Sequence, residues 1–422
     1  MRSQAPGHLK IESVYASVLS GYWVSLGAFS GFMAVYLGYY GFTDTQIGLT
    51  ATAVSVVSII FQLMISSFSD SNQHIPIKKI ISLFYFIMMA LVTVLALIPL
   101  PIALMLIIYS VAGGLFNGIP SLLNALIMQF VNAGIRLNFG WPRGVSALIY
   151  ALFAFLLGLL LENYAPSVLM PICLIAIVCA VILLFLMPRP DQVDGDAAIP
   201  SLAQPLPRTT LRQLLSSSRV LQLFLLSCVF MSAGQSNTML FLPRIVEANG
   251  GTSSSLGFAM FIQAGMEMPA MFLSPFLLSR FRARAILCFS LLAYVAKYTT
   301  LYFAGSMGGV YLSLMISVFC FGLFAISSMY FVNDIVRHNE KVRAQTLIAV
   351  CGAFSAILGN LGAGLVIDRF GIDVLNLVCV FLQVIAALLM FLCAYMQLRG
   401  EKTPVIQPVS ALMGTVFSFK KK

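Results

Sequence analysis

Two opposite charges in neighbouring apolar segments have the clearest potential for chemistry in this sequence. Glu267 lies thirteen residues before Arg280, and Lys297 lies thirteen residues after Arg284. If both segments are helices that leave this short basic turn, a rise of about 1.5 Å per residue places each charge roughly 20 Å from the turn. That depth is past the middle of a hydrocarbon core about 30 Å thick. Two opposite charges at one depth can offset each other's desolvation, and we interpret the carboxylate as a candidate proton carrier. An ion pair that only fixes helix register has the same pattern.

The composition requires a membrane around these segments. Of 422 residues, 60% are hydrophobic and 9% are charged, and a soluble protein of this length cannot bury so much apolar surface. The net charge of +10 comes from lysines and arginines in loops, so we expect no nucleic-acid partner. The eight cysteines have no spacing typical of a metal or disulfide site, and neither a P-loop nor an HExxH motif is present. We therefore predict no metal, no cofactor and no enzymatic activity.

Segments of about 20 or more apolar residues predict twelve transmembrane helices, six on each side of a polar stretch. The segments are 15–40, 46–68, 80–100, 103–130, 140–161, 168–186, 221–242, 255–278, 286–304, 310–332, 347–367 and 374–396. The sequence thus predicts an all-α integral membrane protein. Its domains would be a six-helix bundle (1–187), a cytoplasmic linker (188–218), a second six-helix bundle (219–398) and a cytoplasmic tail (399–422).

Basic residues define the predicted orientation. Nearly all loop lysines and arginines fall on one side of the twelve segments, and the other side receives only Arg244 and Arg369. By the positive-inside rule, both termini and the linker are cytoplasmic, and we expect a multi-pass protein of a bacterial inner membrane.

Short motifs recur at an offset of about half the chain. They are Ser25-Leu-Gly27 with Ser232-Ala-Gly234, Gln46-Ile-Gly48 with Ser255-Leu-Gly257, and Gly158 to Glu162 with Gly364 to Asp368. Parallel six-helix repeats predict two bundles that face each other with a binding site near the midplane. In this register Glu267 corresponds to about Ser58 and Lys297 to about Met88, so the charges occur in one half only.

Polar residues inside the predicted spans are candidates for binding a solute. Arg143 and Tyr150 lie two turns apart on one face, and an arginine beside an aromatic ring can hold a polyhydroxy ligand. Positive-inside placement and ordinary packing explain the same two residues. Other polar groups in the spans either join helices by hydrogen bonds or line a polar, largely uncharged cavity. They are Trp23, Asn117, Asn124, Gln235, Asn237, Gln263, Tyr330 and Asn333.

With these motifs, the chain resembles the major facilitator superfamily and, within it, the lactose-permease-like oligosaccharide:proton symporters. Phe139-Gly140-x-x-Arg143 is similar to the permeases' sugar-binding arginine motif, and Tyr150 falls where they stack a tryptophan on the sugar. Gly265-x-Glu267 and Lys297 resemble their buried glutamate and arginine. Nucleoside:proton symporters and phenylpropionate-type permeases share this broader layout.

Two further parts of the family pattern bear on gating and coupling. Asp70 keeps part of the family's loop motif, and Gly364-x-x-x-Asp368-Arg369 is a cleaner copy, so the resemblance implies gate roles for Asp70, Asp368 and Arg369. The permeases' glutamate in span 4 is missing, with Asn124 in its neighbourhood, and so are the histidine and glutamate of span 10. Glu267 would then have to carry coupling alone.

These observations predict proton-coupled uptake of a small polar solute, such as a sugar, oligosaccharide or nucleoside, by a monomer in the lipid bilayer. Protonation of Glu267 would release Lys297 and let the loaded carrier reorient. One alternative is drug:proton efflux on the same fold, although the Gly-Pro-x-x-Gly-Gly element typical of span 5 in such antiporters is absent. Another is a transporter-like receptor or lipid-handling protein without coupled flux.

Overall fold

The protein is helical throughout the part of the chain that its structure, a computed structural model, describes: residues 6–71, 76–132, 140–187, 218–336 and 341–399. The predicted tail beyond residue 399 and the predicted linker, apart from Ser218, lie outside these residues. The α-helices are α1 (Pro6–Leu26), α2 (Met33–Tyr39), α3 (Asp44–Ser71), α4 (Ile77–Leu97), α5 (Ile102–Asn132), α6 (Gly140–Asn163), α7 (Leu169–Leu186), α8 (Arg219–Leu240), α9 (Leu242–Ala248), α10 (Ser253–Arg280), α11 (Ala283–Tyr302), α12 (Met307–Met315), α13 (Phe321–Ile335), α14 (Lys341–Phe370) and α15 (Ile372–Leu398).

The helices confirm a multi-pass, all-α membrane protein. Within the described residues, ten stretches are long and apolar enough to cross a membrane, and the number is eleven if the bent pair of α1 and α2 forms one span. The predicted segment 255–278 falls on α10, a helix of 28 residues that carries Glu267. The twelve predicted segments therefore all coincide with helices, and the predicted count is approximately right.

Two predicted spans are interrupted. Between α1 and α2 the chain makes a π-helical turn, Gly27–Gly31, with a bend of 44°. The Tyr109 hydroxyl donates a hydrogen bond to the Phe29 carbonyl in this turn, and the two rings stack with centroids 4.2 Å apart. A π turn displaces the carbonyls from the regular ladder, which accounts for the bend. The tenth predicted span consists of α12 and α13 with a 3₁₀ turn, Ile316–Phe319, between them.

Contacts divide the described chain into two compact units. The first unit comprises the described residues of Met1–Gln204, Asn237–Gly265 and Ala356–Leu375, and the second comprises those of Pro205–Ser236, Met266–Ser355 and Asn376–Lys422. Helices α8, α10, α14 and α15 each contribute residues to both units. The bundle boundaries expected at residues 187 and 219 stay a prediction.

Helices pack closely against one another within each unit. In the first unit, α1 packs on α6 and α7, while α5 packs on α3 and α4. A β-carbon at Gly113 would lie 2.8 Å from a Val54 methyl group, so the small residue allows α5 to approach α3 closely. The Lys78 ammonium donates to the Phe185 and Met187 carbonyls, both at 2.8 Å, and so satisfies the C-terminal end of α7. In the second unit, α11 packs on α12 and α13.

Candidate functional site

Glu267 and Lys297 lie in the second unit and influence each other electrostatically. Lys297, on α11, is 3% exposed, and Glu267, on α10, is half-buried. Among the residues that the structure describes, no ion pair of 4.0 Å or less joins the two groups. The carboxylate can therefore gain or lose a proton under the influence of the ammonium without first breaking a direct ion pair.

Three neighbours complete a set that we call the charged cluster: Gln235, Glu267, Tyr294, Lys297 and Cys320. Tyr294 precedes Lys297 by three residues, which places both on one face of α11. The Tyr294 hydroxyl donates to the Gln235 side-chain oxygen at 2.8 Å. Glu267 acts electrostatically on Tyr294 and Cys320, and Lys297 acts on Cys320. The cluster thus combines an acid, a base and an amide whose NH₂ group can donate to a ligand.

Hydrogen bonds from two buried serines fix the backbone around the charged cluster. The Ser290 hydroxyl donates to the Cys320 carbonyl at 2.8 Å, and the Ser313 hydroxyl donates to the Lys297 carbonyl at 3.0 Å. Buried hydroxyls with backbone partners hold helices in one register. The Ser313 bond joins α12 to α11. The Ser290 bond joins α11 to Cys320, which follows the 3₁₀ turn Ile316–Phe319.

In the first unit, two of the predicted binding residues, Trp23 and Tyr150, are in contact. The rings of Trp23 and Tyr150 meet edge to face, with centroids 6.1 Å apart. A β-carbon at Gly27 would lie 2.9 Å from the Tyr150 ring, so the glycine leaves the space that the ring occupies. Arg143 is exposed, and its charge acts on the Tyr15 hydroxyl.

A separate group of uncharged polar side chains joins α3 and α5. The Asn117 amide donates to the Ser58 hydroxyl at 3.1 Å, and the Gln62 amide donates to the Asn117 carbonyl at 3.3 Å. Ser58 is the position that corresponds to Glu267 in the predicted repeat, so the first unit has a hydroxyl where the second has a carboxylate. Asn124 is exposed two turns further along α5.

Of the other predicted binding residues, two lie in the first unit and two in the second. Asn237 is buried, and the Gln263 amide donates to the Met239 sulfur at 2.7 Å. In the second unit, the Asn333 oxygen accepts a hydrogen bond from the Gln345 amide at 3.3 Å. This hydrogen bond joins α13 to α14.

The remaining predicted binding residue of the second unit is Tyr330, whose side chain is exposed.

The predicted gate residue Asp368 makes a defined contact in the first unit. Its carboxylate accepts hydrogen bonds from the backbone N–H groups of Asp44 and Thr45, at 3.2 and 2.8 Å, and so caps the N-terminus of α3. The Asp44 carboxylate accepts from Arg244 Nε at 2.9 Å, and Arg244 Nη1 donates to Glu247 at 3.1 Å. We call Asp44, Arg244, Glu247 and Asp368 the Asp44 cluster.

The contacts of the Asp44 cluster favour the charged form of its arginine. Partial burial lowers the pKa of Arg244, but its hydrogen bonds to Asp44 and Glu247 raise it more, so the pKa stands above its ordinary value. Of the other predicted gate residues, Arg369 is exposed, and the side chain of Asp70 lies outside the described part of α3.

Two helix crossings of the first unit depend on glycines from the repeated motifs. A β-carbon at Gly158 would lie 2.6 Å from the Gly257 Cα, so α6 and α10 meet backbone to backbone. A β-carbon at Gly48 would lie 3.4 Å from the Gly364 Cα and would collide with the Asn360 carbonyl, so α3 and α14 meet in the same way. The recurring glycines therefore mark the closest approaches of these helices.

Sequence reasoning missed Tyr294 and the ion pairs of the Asp44 cluster. A signal existed for Tyr294, since it lies one helical turn before Lys297 and so faces the same way. A signal also existed for Arg244, because it is an isolated arginine on the predicted outer side of the membrane, where basic residues are few. The sequence contained no signal for its partner Asp44, which is 200 residues away.

Comparisons with known proteins agree with this architecture. A profile described as the MFS_1 like family matches residues 14–378, and the chain belongs to that family. Its fold is that of the major facilitator transporters, as the sequence motifs predicted. No curated protein sequence matches the chain.

Solved structures share the fold at low sequence identity. The crystal structure of the nucleoside transporter NupG is 16% identical, with a TM-score of 0.72 over 92% of this chain and 98% of that chain. A bacterial homolog of the human lysosomal transporter Spinster is 13% identical, with a TM-score of 0.70 over 96% of this chain and 100% of that chain in its inward-facing, unoccupied conformation.

Proposed function

We propose that the protein is a proton-coupled symporter that takes up a small polar solute, with Glu267 as the proton carrier. The observation that supports this most is the location of a half-buried carboxylate, Glu267, and a buried ammonium, Lys297, in the same unit, where the two charges interact. The ammonium stabilises the ionised carboxylate and the apolar surroundings favour the neutral acid, so both states are accessible during a transport cycle.

The proton would act by changing the charge balance of the cluster. When Glu267 is protonated, Lys297 loses its counter-charge, and a polar solute that accepts hydrogen bonds compensates it. The Gln235 amide, held through its oxygen by Tyr294, offers further donors to the same solute. Release of the proton restores the charge on Glu267 and weakens solute binding, which couples the two fluxes.

The uncharged polar groups favour sugars, oligosaccharides or nucleosides as solutes. Amides, such as Gln235 in the second unit and Asn117 in the first, can bind hydroxyl groups. In the first unit, the Trp23–Tyr150 pair is of the kind that stacks on a sugar ring or a base. The likeness in fold to NupG, which is named as a nucleoside transporter, gives nucleosides a place among the candidates. The arginine distribution supports cytoplasmic termini in a bacterial inner membrane, and we propose a monomer as the working unit.

A Glu267→Gln variant in proteoliposomes tests the proposal. With a panel of labelled sugars and nucleosides and an imposed proton gradient, the wild type should accumulate its solute against a gradient. The variant should lose uphill accumulation and keep solute exchange, because the amide mimics the protonated acid and cannot release a proton.

Glu162→Gln is the matched control, since Glu162 is an exposed carboxylate at the end of α6. It should accumulate solute as the wild type does, and undiminished accumulation by Glu267→Gln would reject the proposal. In a weakly buffered cell suspension, solute addition should make the medium alkaline. The opposite pH change would indicate antiport, and no change would indicate a receptor or lipid-handling protein.

A further inference from the structure

A cavity of about 410 Å³ opens at one end of the first unit, between α2, α9 and the start of α10. Its polar lining consists chiefly of Tyr39, Arg244, Glu247, Thr252 and Ser253. These residues are separate from the candidate binding residues described above. The end on which they lie is the one that the lysine and arginine distribution predicts to face the outside.

The cavity offers both donors and acceptors. The Arg244 guanidinium has five N–H groups, and the described hydrogen bonds use one for Asp44 and one for Glu247. The Glu247 side chain is 72% exposed and uses one carboxylate oxygen for Arg244, so its second oxygen can accept from a ligand. Ser253 adds a hydroxyl, and Tyr39, 53% exposed, adds an accessible aromatic ring.

The charges around the cavity disfavour an anionic ligand. Arg244 is flanked by the carboxylates of Asp44 and Glu247, and a third carboxylate, Asp368, contacts the backbone of Asp44. A free phosphate or carboxylate would meet this excess of negative charge. A neutral diol, by contrast, can accept from the guanidinium and donate to Glu247 at once, while its carbon skeleton packs on the Tyr39 ring. The volume lies in the range of small-molecule sites.

We propose that this cavity is a second, peripheral binding site for a neutral polyhydroxylated solute, such as a sugar or the ribose of a nucleoside. The inference deepens the proposed function, because it gives the solute a capture site at the entry end in addition to the charged cluster. It depends on the proposed function for the identity of the solute, and binding at the cavity can be measured without transport.

Protection of a cysteine from modification tests the site. Thr252→Cys is introduced into a protein with the exposed Cys179 replaced by serine, and its reaction with a maleimide is timed with neutral sugars, nucleosides and sugar phosphates as probes. At about ten times the dissociation constant, a neutral polyol should slow labelling roughly tenfold, and sugar phosphates should not. Tyr164→Cys, an exposed residue at the same end but outside the cavity lining, should show no protection.

Two ring variants make the result specific. Tyr39→Ala should abolish protection of Thr252→Cys, and Tyr39→Phe, which keeps the ring, should retain it. Absence of protection by every neutral probe, or full protection in Tyr39→Ala, would overturn the inference. Failure of the symport proposal can be told apart from failure of the cavity site. If a neutral polyol still protects Thr252→Cys when Glu267→Gln is also present, or when the protein accumulates no solute, the cavity site is supported although the symport proposal fails.

Discussion

At the residue scale, the energetics of Lys297 depend on the nearby carboxylate. An ionised group within the hydrocarbon core costs at least about 2.5–3.5 kcal/mol, and a nearby opposite charge offsets part of that cost. If Lys297→Met removes the ammonium, Glu267 keeps its own desolvation cost without compensation. We expect the single variant to lose on the order of 2 kcal/mol of stability and the double variant Lys297→Met/Glu267→Gln to regain most of it.

Thermal unfolding in detergent micelles measures the stability of Lys297→Met and of the double variant. If the double variant is no more stable than Lys297→Met alone, the two charges do not compensate each other in the folded protein. That result would remove the physical basis for the charged cluster.

Tyr294 can be tested without altering charge. Tyr294→Phe removes the hydroxyl that holds the Gln235 oxygen at 2.8 Å and leaves the ring in place. Loss of one hydrogen bond of about 1 kcal/mol should raise KM roughly fivefold with little change in kcat, because the amide no longer holds one orientation. Tyr302→Phe, at the exposed end of the same helix, is the control. An unchanged KM in Tyr294→Phe would separate Gln235 from solute binding.

The sequence predicted the charged cluster only in part, for physical reasons. Glu267 and Lys297 stood out because charges are costly in apolar helices, and the basic turn allowed their depths to be counted. Tyr294 did not stand out, because the chain has 15 tyrosines and a tyrosine carries no comparable cost in a span. Its hydrogen bond to Gln235 depends on which helix packs against α11, and helical periodicity does not reveal how helices pack.

At the element scale, hydropathy predicted the helices but not their interruptions. Every predicted span lies on a helix because about 20 apolar residues in a row must satisfy their backbone internally. The π turn at Gly27–Gly31 and the 3₁₀ turn at Ile316–Phe319 preserve that hydropathy while changing the backbone register. They depend on tertiary partners, such as the Tyr109 hydroxyl on the Phe29 carbonyl, that are distant in sequence.

The helix crossing at Gly158 and Gly257 leads to a prediction that has a control on the same helix, α10. A β-carbon at Gly257 would lie 2.7 Å from the Ala154 carbonyl oxygen, whereas one at Gly265 would meet nothing within 4 Å. Gly257→Ala should therefore lower the unfolding temperature by forcing α6 and α10 apart. Gly265→Ala should be neutral or should stabilise by up to about 1 kcal/mol, because alanine is the better helix former.

Unfolding curves of the two α10 variants, recorded in the same detergent, decide this point. Equal effects would mean that the α6–α10 contact does not require glycine, and the repeated motif would then lose its structural explanation.

At the scale of the whole molecule, the distribution of charge links topology to the Asp44 cluster. Arg244 was one of two arginines expected on the side that is otherwise poor in basic residues. The structure pairs it with Asp44 and Glu247, so its charge is compensated locally. The positive-inside bias counts lysines and arginines and gives little weight to carboxylates, so Arg244 remains one of two exceptions to it. The orientation itself stays a prediction.

Single cysteines in a background without the eight native ones test this orientation directly. Thr252, an exposed residue just before α10, should lie outside, and Phe281, exposed in the basic turn between α10 and α11, should lie in the cytoplasm. In intact cells, a membrane-impermeant maleimide should label Thr252→Cys and spare Phe281→Cys until the membrane is permeabilised, because the arginines around that turn retain it inside. The reverse pattern would turn the Asp44 cluster and the 410 Å³ cavity toward the cytoplasm. The cavity would then receive solute from the cytoplasm, and efflux would become the more consistent direction of transport.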